Sequence, residues 1–320
     1  MKKTPEISVV MSVYNDEAYL KESIDSVLSQ NFACLELIIV NDGSTDTSSH
    51  ILGDYAQHDS RIKVINQENQ GLTKALIKGC ENARGTFIAR HDVGDVSTPD
   101  RLALQKKLMD SNDNLSFVSS WTEYCGPNWE YLYTLKDSGY ANEPSYIIDL
   151  SVDCGVLDGP TSHPSVMFKK EIYNEVGGYR SEFYFGQDWD LWYRLAEKGK
   201  FMSVKRSLYK ARILPGSISN INKNKQKELG ELSLKALKVR KRGSSDEHIL
   251  TKASNIKPVG KNEKEILNNK GMGLYYIGEC LRKRNDSRSA KYFLKALALN
   301  PWHIKSGVRL LQSWLISQSK

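Results

Sequence analysis

Apolar and polar positions come in alternating blocks along the first hundred residues. Residues 7–13 (ISVVMSV) form a near-continuous apolar run, the pattern of a strand buried on both faces. Beyond Asp16, the residues Leu20, Ile24, Val27 and Leu28 fall at helical spacing. The strand signal returns at 37–40, a helix runs through Ile51, Leu52 and Tyr55, and a third strand lies at 62–65. A helix through Leu72, Ala75, Leu76 and Gly79 precedes a fourth strand at 87–89. The order β-α-β-α-β-α-β predicts an α/β fold with a mainly parallel, Rossmann-like sheet and helices on both faces.

From 116 to about 212 the pattern is mixed. Short strands are expected at 117–121, 131–135 and 165–168, among loops rich in Gly, Pro, Asp and Asn, and a helix at 188–198. After Pro215-Gly216 the chain turns helical and polar. Near its end, two amphipathic helices flank Asn285-Asp286 and a third follows Asn300-Pro301. With Ala290, Phe293, Ala296, Leu297 and Pro301 in familiar places, this tail resembles a tetratricopeptide-type hairpin. A single such unit cannot bury its own face and needs the main domain or a neighbour. The expected division is a domain over 1–219 and a helical extension over 220–320.

Composition narrows the choices. No apolar run approaches the roughly 18 residues a membrane span requires, and the start MKKTPEISVV does not read as a signal peptide. Five widely spaced cysteines without a CxxC pair argue against zinc and against a disulfide framework, so a reducing cytoplasm is the expected location. The net charge of +7 is uneven: Lys198 to Arg242 holds fourteen Lys/Arg against two Glu. That segment suits anionic lipid at the inner membrane face, with nucleic acid not expected as a partner, although a solvated helix face is the plainer reading of a charge run.

The chemistry concentrates in FIARHDVGDVSTPDRL, residues 87–102, where an apolar strand runs straight into Asp92 and Asp95. Two carboxylates at the end of a buried strand cost several kcal/mol to desolvate unless a cation or donors compensate. A divalent metal facing a polyphosphate is the economical explanation. Polar residues gather after two other strands as well, at Ser12-Val13-Tyr14-Asn15-Asp16 and at Asn41-Asp42-Gly43-Ser44-Thr45-Asp46. In an open parallel sheet these loops share one edge, where ligands bind. Each alone is also good turn or cap chemistry. Neither GxGxxG nor GxxxxGK[ST] follows the first strand, so a dinucleotide fingerprint and a P-loop are unsupported.

The stretches ISVVMSVYND, LELIIVNDGSTD, NQGLTKALIKGCENARGTFIARHDVGD, HPSVMFKKEIYNEVGGYR and QDWDLWYRLAEKG together resemble glycosyltransferase family 2, nucleotide-sugar transferases of the GT-A fold, over about 7 to 219. The resemblance implies an inverting hexosyltransferase that moves a sugar from a nucleoside-diphosphate donor, UDP-linked, to a hydroxyl of a glycan or lipid-linked acceptor in cell-surface polysaccharide synthesis. It further implies nucleotide contacts from Val13, Tyr14, Asn15, Asp42, Gly71 and Asp92, and a Mn or Mg ion at Asp92 and Asp95. Asp188 corresponds to the catalytic base, with His163 and Trp189 toward the acceptor. For Asp188 the plain alternative is a helix-dipole role that Asp190 could share. For His163 it is a hydrogen-bonded loop position, and for Trp189 core packing.

The chain departs from the pattern where Gly94 replaces an acid of the Asp-x-Asp-Asp motif, where Gln187 replaces Glu, and where Leu214 stands in place of a frequent His. Those departures keep open a catalytically silent nucleotide-sugar binder and a scaffold whose tail does the work.

Overall fold

The structure, a computed structural model, describes residues 4–137, 159–216, 222–258 and 262–318. The chain forms two compact units: the first gathers 1–122, 135–210 and 227–257, the second 123–134, 211–226 and 258–320. Residues 227–257, beyond the expected boundary at 219/220, therefore belong to the first unit.

The first unit is built on strands β1 (Ile7–Val13), β2 (Leu35–Asp42), β3 (Ile62–Gln67), β4 (Phe87–Arg90), β5 (Val96–Ser97), β6 (Leu115–Cys125), β8 (Met167–Lys169) and β9 (Lys200–Arg212). They lie in the order β3-β2-β1-β4-β8-β6-β9-β5. The first four are parallel, with Val9 beside Leu37 and also beside Ala89. The β4–β8, β6–β8 and β5–β9 pairs are antiparallel. Helices α1 (Glu17–Leu28), α2 (Ser48–His58) and α3 (Leu72–Glu81) connect the parallel strands, as the periodicity predicts.

Alternate residues of each central strand enter opposite cores. Val9, Met11, Leu37 and Ile39 pack in one cluster with Leu20 and Ile24, whereas Val10, Ile38 and Ile88 pack in the other with Leu76 and Trp192. A sheet covered on both faces needs apolar residues at every strand position, which is why its strands read as unbroken runs.

Strand β9 was not expected. Its sequence KFMSVKRSLYKAR carries five cations, and only part of it is buried, so it reads as part of the basic segment and not as a strand. Part of that segment's charge is spent internally. Lys198 pairs with Glu175 at 2.7 Å, and Arg240 reaches Glu197 at 3.0 Å and Asp246 at 2.7 Å. Asp246 also accepts from Arg180 at 2.6 Å. Together with an apolar cluster of Phe183, Phe185, Leu229, Ala236 and Ile249, these pairs fasten the helices Lys223–Lys241 and Glu247–Ser254 into the first unit.

In the second unit, the end of β6 pairs with β7 (Tyr131–Leu135). Leu132 packs with Leu274, Ile277, Leu281, Tyr292 and Ala296 from the helices Glu263–Lys283 and Ser289–Leu299. Tyr292 donates to the buried Glu130 carboxylate at 2.6 Å. A last helix spans Ile304–Gln318. No helix among the described residues is long and apolar enough to cross a membrane. Cys34, Cys80, Cys125 and Cys280 are free thiols, and Cys154 lies outside the described residues.

Candidate active site

Strand order reverses between β1 and β4, since β2 and β3 lie on one side of β1 while β4 begins the other side. That switch point opens a crevice at the carboxyl ends of the parallel strands. The loops that follow β1, β2 and β4 all leave from this edge.

The first two loops are laced together. Asn15, held at φ +55°, donates its N–H to the Ser44 hydroxyl at 3.1 Å, and its side-chain oxygen accepts from the Thr45 N–H at 2.7 Å. The Glu17 N–H at the start of α1 donates to the Asp46 carboxylate at 3.1 Å. Tyr14 is left with its ring 48% exposed at the mouth of the crevice, directly after Val13, which is buried and registers with Asn41 of β2.

Asp42 is buried and fully engaged. Its carboxylate accepts from the Gln67 side chain (2.7 Å) and from the Gln70 and Gly71 N–H groups (2.9 and 2.8 Å). It thereby pins the loop before α3, where Gly71 adopts φ +87° and sits so close to the Tyr184 ring that a Cβ would lie 3.2 Å from it.

The acidic loop follows β4. Arg90, at the end of that strand, has no exposed surface. It donates to the Val10 carbonyl at 2.8 Å and the His91 carbonyl at 3.2 Å, and it pairs with the Asp92 carboxylate. Burial acts to weaken the Arg90 charge, but Asp92 and the surrounding tyrosines outweigh it and raise its pKa. The Asp92 N–H donates to the Tyr209 hydroxyl at 3.1 Å, so β9 supports this loop from beneath.

Gly94 has φ +92° and nothing within 4 Å of where its side chain would be. Its N–H donates to the Ser23 hydroxyl at 2.9 Å, and that hydroxyl donates to the Asp95 carbonyl at 2.9 Å. Asp92 opens on the crevice, whereas Asp95 is buried within electrostatic reach of Arg101 and Tyr209.

These acids sense one another. Burial, and then the charges of Asp46 and Asp92, raise the Asp16 pKa to about 6. Asp16, Asp46 and Asp92, one from each of the three loops, thus lie within electrostatic reach of one another.

Helix α6 (Gln187–Ala196) brings the fourth element. Gly186 at φ +67° turns the chain into it, and its first turn carries Asp188 and Asp190. The two acids have different environments. Asp190 is wholly buried and bound by Arg194 at 2.5 and 3.1 Å, with Arg180 at 3.6 Å from its other oxygen. Asp188 makes no ion pair among the described residues, and its side chain accepts the Trp189 N–H at 2.9 Å. Loss of hydration, and to a lesser degree the nearby Asp92, raise its pKa to about 6 against its backbone bonds and Arg90. Asp188 and Asp92, nearly a hundred residues apart, therefore lie within electrostatic reach of each other. Asp190 is committed to Arg194, whereas Asp188 has no ion-pair partner among the described residues.

His163 stands at the start of a short 3₁₀ turn, His163–Ser165. Its Nε2 lies 2.7 Å from the Tyr179 hydroxyl, and burial, then Arg90, push its pKa well below the ordinary value, so the ring is neutral. Trp189 packs edge-on against Trp192 and tilted against Tyr193. A Cβ on Gly159 would lie 2.7 Å from its indole, too close to fit without a shift.

Three residues at this site escaped sequence reasoning: Arg90, Tyr179 and Tyr209. For Arg90 a signal existed, since an arginine closing an apolar strand just before two acids demands a partner. The two tyrosines arrive from positions far along the chain and carried none.

Among solved structures, TarS of S. aureus in complex with UDP-GlcNAc superposes with a TM-score of 0.58 at 16% identity, covering 98% of this chain and 91% of that one. The mannosyltransferase PcManGT of Pyrobaculum calidifontis, in complex with GDP-Man and Mn²⁺, does so with a TM-score of 0.55 at 13% identity, covering 98% and 86%. At such identities the likeness concerns the fold, which is GT-A. An uncharacterized glycosyltransferase of Methanocaldococcus jannaschii is 32% identical over 231 residues, 70% of this chain and 76% of that protein. The sequence profile described as Glycosyl transferase family 2 matches residues 8–177, more than half of the chain. The chain belongs to glycosyl transferase family 2 and is a glycosyltransferase.

Proposed function

We propose that this chain transfers a sugar, with inversion, from a nucleoside-diphosphate sugar to an acceptor hydroxyl, and that Asp188 is the base. The observation that carries the reading is the unpaired Asp188 carboxylate, poised at a pKa of about 6 beside Asp92 and Arg90. A hydroxyl is a weak nucleophile near neutral pH, and a carboxylate within reach of its proton raises the rate by about 10²–10⁴-fold. The acceptor oxygen forms its bond to the sugar C1 as the bond from C1 to the diphosphate oxygen breaks. The hydroxyl proton passes to Asp188, and the electron pair leaves with the nucleoside diphosphate. Attack from the face opposite the leaving group inverts the anomeric carbon.

The donor reading rests on Tyr14, whose exposed ring offers a stacking surface, and on Val13, Asn15, Asp42, Gly71 and Asp92 around it. Asp42 contributes by holding the Gln67–Gly71 backbone in place. UDP and GDP-mannose are the nucleotides bound by the structural neighbours, and UDP remains our assignment.

A divalent ion fits these residues in part. No three His, Cys, Asp or Glu side chains among the described residues form a metal cage. Asp92 nevertheless opens on a crevice with surplus negative charge, and the space at Gly94 is free. Asp92, with Asp95 behind it, would hold Mn²⁺ or Mg²⁺ jointly with ligand oxygens, and the ion would neutralise the departing diphosphate. In this reading neutral His163 and the Trp189 ring are the residues that meet the acceptor. We place the reaction at the inner membrane face, in polysaccharide synthesis with a glycan or lipid-linked acceptor, and read the last helices as one tetratricopeptide-like unit.

The test is Asp188→Asn. Transfer should fall by about 10²–10⁴-fold while calorimetric affinity for the donor nucleotide stays within a factor of a few. Turnover equal to the parent would refute the assignment.

A further inference from the structure

The last helix, Ile304–Gln318, reverses the usual order over its described side chains, 304–313. The buried ones there are Ser306 and Ser313, with Leu310 half-buried beside them, and Ser313 lies 3.2 Å from the Ser289 hydroxyl of the preceding helix. Ser306 and Ser313 are seven residues apart and therefore share a face. Ile304, Val308 and Leu311 follow the same rule on the opposite face, and they are 80%, 48% and 65% exposed. Trp302, just before the helix, is 89% exposed, and on the neighbouring helix Leu294 is 55% exposed. Burying serines while presenting isoleucine, valine and leucine to water reverses the usual arrangement. A contiguous apolar stripe of this kind marks a surface meant to be covered.

The charge around the stripe says what covers it. Residues 282–311 hold eight Lys/Arg against one Asp, a balance of +7. Some of these are committed: Arg282 and Arg309 reach Glu279, and Arg288 pairs with Asp286. Lys291, Lys295 and Lys305 are exposed and make no ion pair among the described residues. An apolar stripe led by a tryptophan, with uncompensated lysines around it, is the surface that lies in the headgroup region of an anionic bilayer. The tryptophan settles at the interface, and the lysine stems lie along the apolar boundary with their ammonium groups among phosphates.

We infer that the Trp302–Leu311 stripe docks this chain on an anionic phospholipid surface. The site differs from the Lys198–Arg242 segment expected from charge alone, among whose cations Lys198 and Arg240 are spent on internal ion pairs. The inference does not depend on which residue is the catalytic base.

Co-sedimentation of the full chain with phosphatidylcholine vesicles, and with phosphatidylcholine–phosphatidylglycerol vesicles, tests it. Binding is expected only to the anionic vesicles, weakened but not abolished by added salt. The triple variant Trp302→Ser/Ile304→Ser/Leu311→Ser should lower the partition coefficient by about tenfold or more with an unchanged melting temperature, since the replaced side chains are exposed. Lys291→Glu/Lys295→Glu/Lys305→Glu provides a second, independent variant and should remove the preference for phosphatidylglycerol. Three results would overturn the inference: no binding to either vesicle, binding that both variants leave intact, or a concentration-dependent dimer of the parent, seen by analytical ultracentrifugation, that the triple variant abolishes. The last would assign the stripe to a second copy of this chain.

Discussion

The β2 edge and the α6 edge of the crevice use the same residue type in opposite ways. At the β2 edge, Asp42 has both carboxylate oxygens filled by three donors from its own chain. At the α6 edge, Asp188 makes no ion pair among the described residues and is held in an environment that resists its charge. Two residues on, Asp190 is committed through an ion pair, its Oδ2 held by Arg194 while Arg180 stands 3.6 Å from its Oδ1. A carboxylate committed to internal partners can only shape the site, whereas one left without a counter-charge can exchange a proton with a ligand. The way a carboxylate is partnered therefore separates architecture from chemistry more sharply than sequence position does.

The contrast is broken most severely at Asp190. Asp190→Asn leaves the Arg194 guanidinium buried without its counter-charge, which should cost about 3–5 kcal/mol of stability. Chemical denaturation should show the midpoint falling with an unchanged slope. A loss below about 1 kcal/mol would mean the pair behaves as a surface ion pair.

Asp188→Asn should do the reverse and stabilise the protein. The folded state raises the Asp188 pKa from 3.8 to about 6, so it binds the proton more tightly than the unfolded chain does. Stability therefore falls as pH rises from about 4 to about 6 and stays reduced above that window. The variant carries no such penalty and should be more stable than the parent by about 1–3 kcal/mol at pH 8. That gap should close as pH drops toward 4. A variant less stable than the parent at pH 8 would show that Asp188 has a partner the geometry does not reveal. The same pKa sets the activity profile: turnover should rise through about pH 6 as the base loses its proton.

The parallel half of the fold was legible because its strands are buried on both faces, so Ile7–Val13 and Leu35–Asp42 announce themselves as apolar runs. Strand β9 was not legible, because five cations interrupt its apolar positions and only part of it is buried. The loops of the candidate site were legible where short motifs coincide, after β1, β2 and β4 and at the start of the helix Gln187–Ala196. What the motifs could not show was how each carboxylate is partnered. Asp188 and Asp190 are indistinguishable in QDWD, and only the arrival of Arg194 and Arg180 separates them. The outward stripe on the last helix was hidden for a similar reason. Ile304, Val308 and Leu311 have the spacing of a core face, and only the packing shows that the serines took the inside.

Gly94 gives the finest test of the same contrast, because it lies in the acidic loop at a point where the chain has given up a carboxylate. Its surroundings are open, so Gly94→Asp meets no steric barrier, and the cost is the φ of +92° alone. A side chain there should lower stability by about 1 kcal/mol. The added charge enters a space where Asp92 and Asp46 already raise Asp16. If that space is where a cation and diphosphate meet, the new carboxylate should sharpen the response of nucleotide affinity to Mn²⁺ in calorimetric titrations. Nucleotide affinity measured without metal should meanwhile weaken, since the unrelieved negative charge repels the diphosphate. If both titrations match the parent, Gly94 faces away from the ligand. The open space beside Asp92 would then have no part in holding the donor.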